Sequence, residues 1–186
     1  LDDDGSNGIA TLTGGTGTGD TLEITGTAKA GVALTSALMT GVTAIEKIVL
    51  KAGTAGTTGT ENAVSVQLDD LNVADSTANT FYSMTIDASA MTTGSATLDA
   101  SDDGGGTAAK GGKISIIGGG GNDTITTSAG TLFADTVDGG AGNDTIYAIT
   151  AADAAKKNQI DGGAGTADSF GLAVADSLAD AHFTNI

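Results

Sequence analysis

One nonapeptide, G-G-x-G-x-D-x-U-x with U large and apolar, constrains this chain more than any other feature. It occurs as Gly118-Gly119-Gly120-Gly121-Asn122-Asp123-Thr124-Ile125-Thr126 and again as Gly139-Gly140-Ala141-Gly142-Asn143-Asp144-Thr145-Ile146-Tyr147. Two more copies carry an extra residue before the aspartate: Gly14 to Leu22, with Asp20, and Gly162 to Phe170, with Asp168. From Gly118 to Gly139 and from Gly139 to Gly162 the intervals are 21 and 23 residues, about one coil of a solenoid. Glycine admits backbone conformations closed to other residues, which can turn carbonyl oxygens inward around a point. The aspartate adds negative charge. Hard cations of the calcium type take six to eight oxygens at about 2.3–2.6 Å, more than one such turn offers and within reach of two stacked turns.

Each turn is flanked by short alternating segments, Ile114 to Ile117, Thr136 to Asp138 and Gln159 to Asp161 before it, Thr124 to Thr126, Thr145 to Tyr147 and Ser169-Phe170 after it. Strand, glycine turn, strand is the expected unit. Further β-like segments are Ile45 to Leu50, Val64 to Leu68, Met84 to Ala88 and Ala96 to Ala100, most of them followed by Gly, Asp, Ser or Thr. Helix is expected only over Ala33 to Thr40, Ala151 to Lys157 and Asp176 to Phe183. A longer repeat is also visible, Leu34 to Val42 aligning without gaps onto Leu178 to Ile186. Together these predict an all-β chain, a parallel β-helix or β-roll solenoid with glycine-aspartate turns and a few short helices. Its parts are 1–44, a glycine turn plus helical patch; 45–113, irregular rungs; and 114–186, the calcium roll, ending in a truncated second copy of the first module. The start at Leu1-Asp2-Asp3-Asp4 reads as a cut from something longer.

Composition narrows the function. With no cysteine among 186 residues there is no disulfide framework, thiolate metal site or cysteine nucleophile. All seven basic residues are lysine, against 23 acidic ones, for a net charge of -16. Such a chain repels nucleic acid and anionic membrane surfaces and lacks the guanidinium forks that grip phosphate. No apolar run approaches the roughly 20 residues that cross a bilayer. A hydrophobic content of 39% argues for a folded chain, and an aromatic content of 3% for a thin core of Val, Ile, Leu and Ala. Catalytic material is sparse. The only histidine, His182, falls in an expected helix, and neither H-E-x-x-H nor G-x-S-x-G occurs. Asp2-Asp3-Asp4, Asp69-Asp70 and Asp102-Asp103 lack EF-hand spacing and read as solvated acidic clusters or as extra ligands.

The nonapeptides resemble the RTX calcium-binding repeat family. That resemblance implies a parallel β-roll outside the cell with Ca2+ held between neighbouring turns. By position it implies one ion among Gly118, Gly120 and Asp123 and, from the next coil, Gly140, Gly142 and Asp144. It implies a second among Gly139, Ala141 and Asp144 with Gly163, Gly165 and Asp168. Asp20, in the isolated first copy, is a further candidate ligand. The departure from the family is that only one edge of each coil carries the motif, the other holding the looser segments Thr127 to Ala134 and Ala148 to Lys157. The threonine-rich and alanine-rich composition further resembles the calcium-dependent surface-layer proteins and large adhesins of type I secretion. The expectation is a non-enzymatic, extracellular S-layer component that folds on Ca2+ and self-associates into a lattice or filament, with cell-surface polysaccharide as a further partner and neither nucleic acid nor membrane insertion. An adhesin binding module and the non-catalytic tail of a secreted enzyme are the alternatives.

Overall fold

The computed structural model describes residues 12–15, 19–25, 32–51, 63–68, 83–101, 113–127, 134–148, 158–172 and 182–186. Their strands, in chain order, are Leu12–Thr13 (β1), Thr21–Thr25 (β2), Val32–Leu34 (β3), Val42–Thr43 (β4), Lys47–Lys51 (β5), Val64–Gln67 (β6), Ser83–Ala90 (β7) and Ala96–Asp99 (β8). There follow Lys113–Ile117 (β9), Thr124–Thr126 (β10), Thr136–Asp138 (β11), Thr145–Ala148 (β12), Gln159–Asp161 (β13), Ser169–Leu172 (β14) and His182–Thr184 (β15). Every pairing is parallel. The chain is thus all-β in character, built on parallel sheets, with a single helical turn, Ser36–Met39 (α1), among the described residues.

Two sheets carry the fold. One runs β15-β13-β11-β9-β7-β5-β2 and the other β14-β12-β10-β8-β6-β3, while β1 and β4 form a separate pair. From β5 onward the chain alternates between the two large sheets, each time landing beside the strand it last left in that sheet. Alternation of apolar and polar residues within each strand makes this workable, because one face is buried and the other wet. In β5, Ile48 and Leu50 are buried between half-buried Lys47, Val49 and Lys51.

Register turns these alternations into continuous rows. Leu22, Ile48, Ile86, Ile116, Val137, Ile160 and Phe183 stand side by side across the first sheet. Leu34, Val66, Leu98, Ile125, Ile146 and Phe170 do so across the second. The last members of the two rows meet, the Phe170 and Phe183 rings lying 4.6 Å apart between centroids. One slim core therefore runs the length of the stack, each fully buried aliphatic side chain contributing about 1.5–3 kcal/mol.

The helical expectations need correction. Ala33 and Leu34 lie in β3, so the first patch shrinks to Ser36–Met39, and His182 and Phe183 lie in β15, paired with Gln159 and Ile160. Alternation into the core outweighs helix propensity there, because Phe183 completes an apolar row. The expected helix over 151–157 lies outside the described residues. The gapless alignment of Leu34 to Val42 onto Leu178 to Ile186 is not the correspondence the structure gives: 178–181 lie outside the described residues, and the described ends match three residues out of step. Val42 pairs with Leu12 as Phe183 pairs with Ile160, and Ala44 (φ 53°) and Asn185 (φ 50°) share a left-handed conformation beside Gly14 and Gly162. Val42 thus corresponds to Phe183, and Ile45 to Ile186.

Candidate metal centre

Three of the four glycine turns stack on one edge, where the chain passes from the seven-stranded to the six-stranded sheet: after β9, after β11 and after β13. Their residues fall into columns. A side chain on Gly118 would strike the carbonyl of Gly139, one on Gly139 the carbonyl of Gly162, and one on Gly162 the carbonyl of Asn185. The second column repeats this with the Gly119 carbonyl on Gly140 and the Gly140 carbonyl on Gly163, and the fourth with Gly121 on Gly142 and Gly142 on Gly165. In the third column Ala141 bridges Ala164 and a methyl is accommodated. The G-G-x-G spacing is therefore a demand for close approach between stacked turns as much as for special backbone angles. Gly140 (φ 94°) and Gly163 (φ 90°) need both.

The aspartates close the columns as a ladder, each reaching back to the preceding turn. The Ala96 N–H donates to Asp123 Oδ1 at 2.7 Å, the Asp123 N–H to Asp144 Oδ1 at 2.8 Å, and the Asp144 N–H to Asp168 Oδ1 at 2.8 Å. Ala96 holds the aspartate's place in the turn at 91–95, so the charged column begins above it. Outside it runs a second ladder, in which Asn122 Oδ1 accepts the Asn143 N–H and Asn143 Oδ1 the Thr166 N–H. Asp123 and Asp144 are each 1% exposed.

The second carboxylate oxygens differ between turns. Asp123 Oδ2 accepts the Gly119 N–H at 2.6 Å. At the next turn the equivalent Gly140 N–H goes instead to Asp138 Oδ1 at 3.0 Å, and Asp144 Oδ2 is left buried without a hydrogen-bond partner. At the third turn the Gly163 N–H goes to Asp161 Oδ1 at 3.0 Å. Burial first, then the charges of Asp123, Asp168 and Asp138, push the Asp144 carboxyl up to about 6, despite the hydrogen bond from the Asp123 amide. Burial also raises Asp123, against the hydrogen bonds from Ala96 and Gly119.

A buried anionic oxygen with no donor demands a proton or a cation. The space a Cβ of Gly139 would fill is bounded by the Gly162 carbonyl and by Asp144 Oδ2, 2.6 Å from that point. Carboxylate and carbonyl oxygens with no soft donors suit a hard cation such as Ca2+. Among the described residues no three acidic or histidine side chains group closely enough to hold a metal. An ion here would draw on backbone carbonyls as well. The structure places the expected sets, Gly118, Gly120 and Asp123 with Gly140, Gly142 and Asp144, and Gly139, Ala141 and Asp144 with Gly163, Gly165 and Asp168, in adjacent turns. Two of the carbonyls in this edge are already in ladder bonds, Gly119 with the Ala141 N–H and Gly140 with the Ala164 N–H. A carbonyl's second lone pair leaves room for a further contact.

Asp20 stands apart. Its turn joins β1 to β2, on a different edge from the other three, and its N–H donates to Glu46 Oε2 at 2.8 Å while its Oδ2 is also buried without a partner. Glu46 thus does for this corner what the next turn's aspartate does elsewhere. Sequence reading passed over it, and over Asp138 and Asp161, whose signal was their shared place before each Gly-Gly. It also passed over a buried ladder entering the seven-stranded sheet, where Asp135 Oδ1 accepts the Ile114 N–H and Asn158 Oδ1 the Asp135 N–H. That pair had no spacing signal, since one rung is Asp and the other Asn. The clusters Asp2-Asp3-Asp4, Asp69-Asp70 and Asp102-Asp103 lie outside the described residues. No family model, curated protein or solved structure matches the chain.

Proposed function

We propose that this chain is a calcium-stabilised parallel β-solenoid segment of an extracellular structural protein, a surface-layer component. The alternation between two parallel sheets from β5 onward supports a coil that climbs one rung per turn. The observation that carries the cation is Asp144 Oδ2, buried, unpartnered and flanked by the charges of Asp123, Asp168 and Asp138. When bound, a divalent ion supplies the positive charge this column lacks. The chain's own part is to preset the oxygens through the glycine columns and the aspartate ladder. Ion binding to the folded form alone adds to its stability, by about 2.7 kcal/mol at a hundredfold excess over Kd.

The test is a thermal melt of the chelator-treated chain during a calcium titration, with sedimentation alongside. A melting temperature that climbs with Ca2+, together with calcium-driven growth into large particles, is the expected result. Identical melts with chelator and with millimolar Ca2+ would remove the cation, and a monomer at all calcium levels would remove the lattice. One observation favours a second reading, a glycan-binding module. Tyr147 is 41% exposed, with its ring lying over Gly171 of the adjacent strand and Thr145 and Thr126 beside it in the sheet. Glycan binding by the monomer that is lost in Tyr147→Ala would support it.

A further inference from the structure

The three stacked turns share their glycines and aspartate yet differ in where one N–H goes. The residue that ends the preceding strand differs in step with it. Ile117, Asp138 and Asp161 occupy one register position across β9, β11 and β13. Where it is Ile117, the second glycine's N–H turns inward to Asp123 Oδ2. Where it is Asp138 or Asp161, the N–H is held by that strand-end carboxylate, and the glycine swings to positive φ, 94° at Gly140 and 90° at Gly163. The same short reach occurs at Asp87, which accepts from the Ser89 N–H, and at Asp99, which accepts from the Ser101 N–H. An aspartate accepting the N–H two residues on is a self-contained turn.

We infer that Asp138 selects the turn that takes a divalent cation: by holding the Gly140 N–H it keeps Asp144 Oδ2 open, whereas Ile117 leaves the Gly119 N–H free to close Asp123 Oδ2. Asp138 is a positioning residue, acting through Gly140. The ion then belongs between the turns of Asp144 and Asp168, beside the Gly162 carbonyl. At the turn of Asp123 the second carboxylate oxygen is already satisfied by the Gly119 N–H and makes no unmet demand for a cation. This rests on the calcium reading above and adds which of the stacked turns is competent.

The experiment is calorimetric titration with calcium chloride of the full chain and three variants, each first checked for its β circular-dichroism signal. In Asp138→Ala the freed Gly140 N–H closes onto Asp144, and binding weakens about 10–100-fold, the range for losing an outer-shell partner. Asp138→Asn keeps the oxygen acceptor and retains the site, which separates hydrogen bonding from mere charge. Ile117→Asp opens Asp123 and gains a calcium equivalent. The Gly140 amide resonance gives a metal-free readout, shifting in Asp138→Ala and not in Asp138→Asn. Unchanged stoichiometry and affinity in Asp138→Ala together with no gain in Ile117→Asp would overturn this inference and leave the calcium reading standing. No calcium uptake by the parent chain would overturn both.

Discussion

Asp144 is the residue where burial and charge conflict most. Its carboxyl holds a proton more tightly in the folded chain, near 6, than the ordinary value of 3.8. A raised acid stabilises the fold below the unfolded value and loses that contribution as pH rises through the folded one. Asp123, also raised, works in the same direction. Asp87 and Asp161 work the other way. Burial alone would raise Asp87, but Lys47 and Ser89 hold it low, and the Gly163 N–H and Asn185 lower Asp161, so their contributions fade as pH falls below about 4. In chelator, the melting temperature should therefore fall between about pH 4 and pH 7, and Asp144→Asn should flatten much of that slope. With millimolar Ca2+ present the slope should reverse. Glycine spacing makes a second residue-scale prediction. Gly139→Ala drives a methyl into the Gly162 carbonyl and Asp144 Oδ2, for a loss of about 1–3 kcal/mol by chemical denaturation. Ala141→Ser, in the column that tolerates a side chain, should change stability by no more than about 0.5 kcal/mol.

Among the elements, the strands stand on two different supports. Their inward faces are apolar rows, and Ile86, fully buried between Ile48 and Ile116, should lose about 2–5 kcal/mol on truncation to alanine. Their ends are held by side-chain acceptors at the start of the neighbouring strand. Asn158→Ala strips the acceptor from the buried Asp135 N–H and should destabilise by about 1–3 kcal/mol, although Asn158 lies in no motif. The alternating segments were legible from the sequence nearly to the residue, because one apolar residue in two is a local signal. The terminal strand was not, the expected helix having run on to Phe183, with 176–181 outside the described residues. The Asp180 to Asn185 stretch has no alternation strong enough to announce a strand, and only the vacancy beside Ile160 makes Phe183 one.

At the level of the whole molecule each described strand pairs with its neighbours in the sheet, so stability accumulates from strand to strand. A net charge of -16 acts against that accumulation everywhere. In chelator, raising sodium chloride from about 0.01 to 0.5 M should raise the melting temperature by screening this repulsion. Calcium at millimolar concentration should exceed that gain, since it binds at particular oxygens. Equal effects at equal ionic strength would mean that screening alone operates.

The sequence by itself determined the period, the strands and the residues that could meet at a glycine-aspartate edge, because spacing and alternation are properties of neighbours in the chain. Which edge each turn occupies, which N–H each carboxylate receives and which oxygen stays open were decided only in three dimensions. The partners of Asp123, Asp144 and Asp168 lie 27, 21 and 24 residues away, at the neighbouring strand, and so Asp20 and Asp144, alike in motif, end in different company.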